Sequence, residues 1–439
     1  MTASHISGLK LMAISLGLAL GVAALPRLST AETGLEQVSA IYRQALEAYE
    51  KKDYATYYEG FSRLSAILPN DPGVVFRLAG ASALTGRVAE AESLLKRLTA
   101  MQVDRDLVSS PDFVSIHETA AFKAAVTAME SLKAPVGTET IAFRLPERDF
   151  IPEGIAWDPV TRTFLVSSVH LRKVVRVGRD GAVRDLVQAG QDGLWSALGI
   201  DIDPGRRILW VCSTAYKQIK GATPGEEGQA ALFAFHADSG KLLGRYPLAG
   251  GVKGHGCDSL AVGPRGDVYV SDGETGAIYR LRRGAKALEA FLAGGSLYSA
   301  QSLAFPPGGK ALFIADYARG VVGVDLSSRK VTLLPAPQDA ALGGIDGLAY
   351  YGGSLLAVQN GVQPNRVLRL RLSSRLDRIE SVEVLARSLP IYDEPTLATV
   401  VDRALYYIAN SHWGKFDERG ALPEPEKLSE PAILKIPLG

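Results

Sequence analysis

Two textures of apolar and polar positions divide the chain. From 34 to 133, apolar residues recur at helical spacing, as in "LEQVSAIYRQALEAYEKKDYATYYEGFSRLSAILPNDPGVVFRLAGASALTGRVAEAESLLKRLTAM". Breaks at Lys51-Lys52-Asp53, at "PNDP" (Pro69 to Pro72) and at Gly86 cut this stretch into helices of about 14 to 17 residues. The small residues Ala79, Gly80, Ala81 and Ala83, followed by "GRVAEAESLL", resemble a tetratricopeptide helix pair, in which small side chains let helices approach closely. Barely two such units fit, fewer than the ~3 a free-standing solenoid needs, so the segment is expected to pack on the domain C-terminal to it. Its groove is a candidate surface for a protein partner.

After "KAPVGTET" the texture changes to short runs of Val, Ile, Leu, Phe and Tyr punctuated by Gly, Pro and Asp, the mark of strands and turns. Six runs align: "EGIAWDPVTRTFLVSS", "LGIDIDPGRRILWVCS", "DSLAVGPRGDVYVSD", "QSLAFPPGGKALFIAD", "DGLAYYGGSLLAVQN" and "PTLATVVDRALYYIAN". They begin at Glu153, Leu198, Asp258, Gln301, Asp346 and Pro395, spaced 45, 60, 43, 45 and 49 residues apart. That period matches a four-stranded propeller blade, so the fold class is mainly β: a six-bladed β-propeller behind a small all-α domain. An open ring would leave a sticky edge. "TIAFRLP" (140 to 146) is therefore expected to supply the outer strand of the last blade, whose third strand is "AILKIP" near the C-terminus.

In a propeller the first strand of each blade lines the central channel, so the residue opening each copy sits at one mouth. Glu153, Asp258, Asp346 and Gln301 thereby converge. Like charges held this close repel unless a cation or proton compensates, and oxygen donors suit a hard divalent ion such as Ca²⁺, Mg²⁺ or Mn²⁺. A second set ends the second strand of each copy: Ser168, Ser213, Asp272, Asp316, Asn360 and Asn410. Asp272 and Asp316 read as turn-formers, whereas Asn360 and Asn410 border the mouth. His255 in "GHGCD", His412 with Trp413 in "NSHWGKFD", and the polar insertion 216 to 230 are further candidates for binding substrate or covering the site.

At 439 residues with 47% hydrophobic content, the chain can bury more than one core. Its 48 Lys and Arg against 47 Asp and Glu exclude a dedicated nucleic-acid surface. Lys10, the apolar run "LMAISLGLALGVAAL" and the small residues "STA" at 29 to 31 have the order of a signal peptide, and the run is short of the ~20 residues of a membrane span. The expected organisation is a signal peptide (1–31), a helical domain (32–133) and the propeller (134–439), in a secreted or periplasmic protein with no membrane span after cleavage. Such a compartment permits Cys212 and Cys257 to pair; the sequence leaves open whether they do.

The six-copy pattern and its mouth residues resemble the senescence-marker-protein/gluconolactonase family of metal-dependent lactone hydrolases, and more distantly the paraoxonases and arylesterases. The resemblance covers about residues 140 to 439 and leaves the helical front unexplained. It rests on "PEGIAWDP" at Glu153, "CDS" at Asp258, "AQSLAF" at Gln301 and "IDGLAY" at Asp346. It implies Glu153, Gln301 and Asp346 as metal ligands, Gln301 standing where the family has asparagine. It further implies Asp346 as general base and Asp258 as a substrate contact, with Cys257 replacing the family's asparagine beside it. The ion would be calcium, with zinc, magnesium or manganese as alternatives. On this reading Asp346 and Asp258 are the catalytic residues of a lactone or ester hydrolase, and Asp258, His255, Asn360, Asn410 and His412 bind the small-molecule substrate. A non-catalytic propeller that binds a ligand or protein is the alternative.

Overall fold

A computed structural model describes residues 34–439 other than 179 and 224. The expected signal peptide lies outside the described residues, and among those described no helix is long and apolar enough to cross a membrane. Four helices open the chain: α1 (Gly34–Glu50), α2 (Tyr54–Ile67), α3 (Pro72–Leu84) and α4 (Val88–Ala100). The boundaries follow local chemistry. Asp53 and Asp71 cap α2 and α3 by accepting from the amides of Thr56 and Val74, and Pro72 occupies the first turn of α3, where its missing N–H costs nothing. Gly86, at φ +75°, takes the left-handed turn between α3 and α4. A fifth helix, α5 (Ala120–Ser131), had no distinct break signal in the sequence.

The remaining chain forms six four-stranded antiparallel sheets. Their innermost strands are Pro152–Asp158, Ser196–Asp203, Leu260–Val262, Ala300–Ala304, Ile345–Tyr351 and Ala398–Val401. These pack on one another in turn, the sixth against the first, so the ring is closed. Closure takes the expected route: Thr140–Arg144 pairs with Ala432–Pro437 as the outer strand of blade 6. Close approach of neighbouring inner strands explains why a small residue comes after every mouth position. A Cβ on Gly154 would lie 2.5 Å from Leu198 O, and one on Gly347 2.6 Å from Thr396 O.

The helices are docked on the propeller, as their small number requires. Ala341 and Val362 of the propeller join the apolar cluster of α3, α4 and α5. The anchor is Arg366, 2% exposed, which donates to the carbonyls of Met101 and Gln102 at 2.9 and 2.8 Å and to Gln359 Oε1 at 2.6 Å. Asn70 Nδ2 donates to Pro337 O and Ala340 O at 2.8 and 2.7 Å, and Ser388 Oγ to Leu132 O at 2.6 Å.

Candidate functional site

Four of the six mouth positions lie not before the first strand but within it, at a β-bulge. The pairing register shifts between Pro152 and Ile155, Ala197 and Ile200, Ala300 and Leu303, and Ile345 and Gly347. Those shifts bracket Glu153, Leu198, Gln301 and Asp346. A bulge frees one residue from the ladder and re-aims its side chain, and repeating it in blade after blade turns these residues toward the mouth.

All three carboxyls of the ring have raised pKa values, chiefly through burial. Burial raises the pKa of Glu153 well above the ordinary value, and the charges of Asp346, Glu394 and Asp258 add to it, against the Trp413 hydrogen bond. Asp346, 9% exposed, is pushed up to about 7 by burial and by Glu394, against the opposing hydrogen bond from Asn360. Asp258 is likewise pushed up to about 7, by burial and then by Asp272 and Glu274, although Gly273 and Tyr216 donate to it. Each carboxyl is held on one side: Trp413 Nε1 donates to Glu153 Oε2 at 2.6 Å and Asn360 Nδ2 to Asp346 Oδ2 at 2.7 Å. Tyr216 O–H donates to Asp258 Oδ1 at 2.8 Å and the Gly273 amide to Oδ2 at 2.7 Å. Glu153 Oε1 and Asp346 Oδ1 receive no hydrogen bond from the described residues.

Two loops roof this mouth. Tyr216 opens the loop between the second and third strands of blade 2, and Trp413 lies between the same strands of blade 6. Their rings meet edge to face at 6.3 Å, so the two aromatics that hold Asp258 and Glu153 also touch each other. The sequence marks Trp413 and the insertion beginning at Tyr216 as candidates for binding substrate or covering the site, but not their grip on the carboxyls. Glu394 was missed because the sixth copy was aligned from Pro395. Its backbone is left-handed, at φ +60°, and its charge acts on both Glu153 and Asp346. Tyr317 was missed too; its O–H donates to Asn360 Oδ1 at 3.1 Å, orienting the amide that holds Asp346.

The other expected site residues fall differently. Gln301 Nε2 donates to Ser299 Oγ at 3.1 Å and lies on the Asp258 side of the ring, where a Cβ on Gly273 would come within 3.3 Å of it. His255 Nδ1 is 2.6 Å from Asp272 Oδ2, while Oδ1 of Asp272 accepts the amides of Gly256, Glu274 and Thr275; Asp272 is the turn-former the sequence indicated. Asp316 does the same for the amides of Tyr298 and Ser299. Asn360 reaches the mouth. Asn410 and His412 do not join the carboxyl ring: Asn410 Nδ2 donates to Ser429 Oγ at 3.0 Å, and His412, 2% exposed, has Nδ1 2.8 Å from Asp393 Oδ2. Cys212 and Cys257 are fully buried thiols with Sγ atoms 2.6 Å apart.

Among the described residues no three His, Cys, Asp or Glu side chains are grouped so as to hold a metal ion. The donors fit a hard cation in kind, because Glu153 and Asp346 repel each other and each keeps one oxygen without a donor. Two carboxylates with water completing the shell is an ordinary arrangement for such an ion.

No protein-family model matches the chain, and no curated protein matches it. Among solved structures it is similar to a luciferin-regenerating enzyme, at 14% identity and a TM-score of 0.50 over 70% of this chain and 96% of that one. It is also similar to a gluconolactonase of Xanthomonas campestris (17% identity, TM-score 0.47, covering 70% and 98%). A calcium-binding regucalcin of Agrobacterium tumefaciens gives 15%, 0.48, and 67% and 93%. At these identities the likeness shows the fold. The protein is a six-bladed β-propeller with an N-terminal helical segment, and gluconolactonase- and regucalcin-like propellers are among its structural neighbours.

Proposed function

We propose that the roofed mouth hydrolyses a lactone or related ester, with Asp346 and Asp258 as its acid–base pair. One observation carries the reading: two buried carboxyls on one ring have pKa values pushed to about 7, where a group can take and return protons at neutral pH. In this proposal Asp346, oriented by Asn360, draws the proton from the attacking water. Asp258, kept protonated part of the time, returns one to the leaving oxygen. Tyr216 and Trp413 exclude bulk water and strengthen every charge interaction beneath them. Glu153 and Asp346 would hold a divalent cation, calcium in the first instance, which when bound would polarise the substrate carbonyl. Export to the periplasm or beyond belongs to the same proposal and rests on the sequence of residues 1–31.

The test is turnover of a panel of lactones and aryl esters across pH, with and without divalent cations. Activity should follow two ionisations near neutrality and fall at least about a hundredfold in Asp346→Asn. Cation binding without turnover of any panel member would favour the binding propeller instead. The tether of the Gln301 amide to Ser299, away from Glu153, is the feature that supports that second reading.

A further inference from the structure

Outside the carboxyl ring, three side chains stand in a different chemical relation. His412 lies at φ +63°, a left-handed conformation uncommon for a residue with a side chain and concentrated at functional positions. Its amide donates to Asp393 O at 3.3 Å, and its ring Nδ1 faces Asp393 Oδ2 at 2.8 Å. Hydrogen bonding to His412, with Lys415 adding its charge, holds Asp393 below the ordinary carboxylate pKa, so this oxygen accepts and Nδ1 carries the hydrogen. Nε2 is thereby left with its lone pair, which Ser429 Oγ and the Asn410 amide Nδ2 both approach at 3.3 Å. Ser429 is exposed, whereas His412 beneath it is buried.

We propose that Ser429, His412 and Asp393 form a serine-nucleophile site for esters or other activated acyl groups, separate from the carboxyl ring. The roles derive from donors and acceptors. Asn410 Nδ2 donates to Ser429 Oγ at 3.0 Å, occupying one lone pair and leaving the hydroxyl proton free to point at His412. Once Nε2 holds that proton it can donate to Ser429 O at 3.1 Å, so the imidazolium formed in the reaction has an acceptor waiting. The amides of Ser429 and Glu430 donate to no group among the described residues. The separation of 3.3 Å is slightly long, as such bonds commonly are without substrate. In the reaction Oγ forms a bond to the acyl carbon as its proton passes to His412. The carbon–oxygen bond to the alcohol then breaks, the alcohol leaving with the proton from His412, and water hydrolyses the acyl-serine. Asp393 acts through His412 and is a positioning residue.

A fluorophosphonate probe tests the site on the full chain. Oγ would bond to phosphorus, fluoride would leave, and the proton would pass to His412. Intact mass and peptide mapping should find one adduct, on Ser429, and none there in Ser429→Ala, an exposed change that leaves the fold intact. The charged groups facing His412 are Asp393 and, through it, Lys415. Removing the carboxylate charge in Asp393→Asn should slow labelling by at least about tenfold and move its pH inflection to lower pH, in a variant that still unfolds cooperatively. A purely structural Asp393 would leave that inflection in place. Absence of an adduct on Ser429, or labelling at an unaltered rate in Asp393→Asn, would overturn the proposal, whatever becomes of the carboxyl ring.

Discussion

Asp346→Asn isolates the electrostatic cost of the mouth. The substitution keeps shape and leaves one oxygen for Asn360 Nδ2 while removing the ionisable group. Because the folded protein raises the Asp346 pKa from 3.8 to about 7, the native state holds a proton that the unfolded chain releases. Its contribution to stability is therefore whole below pH 3.8 and is lost as pH rises to about 7. That gap is a ceiling of about 4 kcal/mol at roughly 1.4 kcal/mol per pH unit. The repulsion shared with Glu153 is partly relieved in either state, so about 2 kcal/mol is the working expectation, or roughly 2 to 3 °C in melting temperature for a chain this long. Thermal melts from pH 5 to 9 in chelator should show the wild type losing stability with pH and Asp346→Asn losing distinctly less. At pH 8 a divalent cation at a hundredfold excess over its Kd should return about 2.7 kcal/mol to the wild type and little to the variant. Parallel pH curves for the two proteins would refute the reasoning, because Asp346 would then carry no extra proton in the folded state.

Asp272→Asn, measured beside it, should destabilise the protein alike with and without cation, since Asp272 binds the amides of Gly256, Glu274 and Thr275; a cation-linked effect there would merge the turn-formers with the ring. Arg366→Met leaves the carbonyls of Met101 and Gln102 buried without their donor and should cost about 3 kcal/mol, read as a lower denaturant midpoint. Deleting 140–144 removes the outer strand of blade 6 and should give insoluble or protease-sensitive protein, checked by limited proteolysis. The thiols should react with a thiol reagent only after unfolding, because both are fully buried and burial, with Cys257 alongside, raises the Cys212 pKa well above the usual value.

The architecture was legible because it is periodic: six copies of one strand-turn-strand pattern average out local noise. The helix breaks were legible for a different reason, since Asp53, Asp71 and Gly86 are local devices whose chemistry does not depend on the rest of the fold. Glu153, Asp258 and Asp346 were found as a set because the period places them around one axis. What the period could not carry lay between the repeats. Tyr216 and Trp413 belong to loops of different length in two blades, and no spacing rule connects them. Glu394 escaped because a left-handed residue just before Pro395 puts the functional position one residue ahead of the aligned one. Ser429 escaped because it lies on a long connection, 19 residues beyond Asn410, that no pattern ties to His412.

Asp158 shows what the same fold does with a buried carboxylate that only has to be stable. Its side chain is fully covered, and burial alone would raise its pKa. Arg207 binds both its oxygens, at 2.8 and 2.7 Å, and Arg176 adds a third contact at 3.2 Å, so it is held far below the ordinary carboxylate range. Among the described residues no lysine or arginine makes such contact with Glu153, Asp258 or Asp346, whose partners are an indole, an amide, a phenol and a backbone N–H. Those neutral donors orient a carboxyl without neutralising it. The mouth therefore keeps its charge or its proton available, at a cost in stability that Asp158 avoids, and that difference is the physical ground for assigning chemistry to the ring and structure to Asp158.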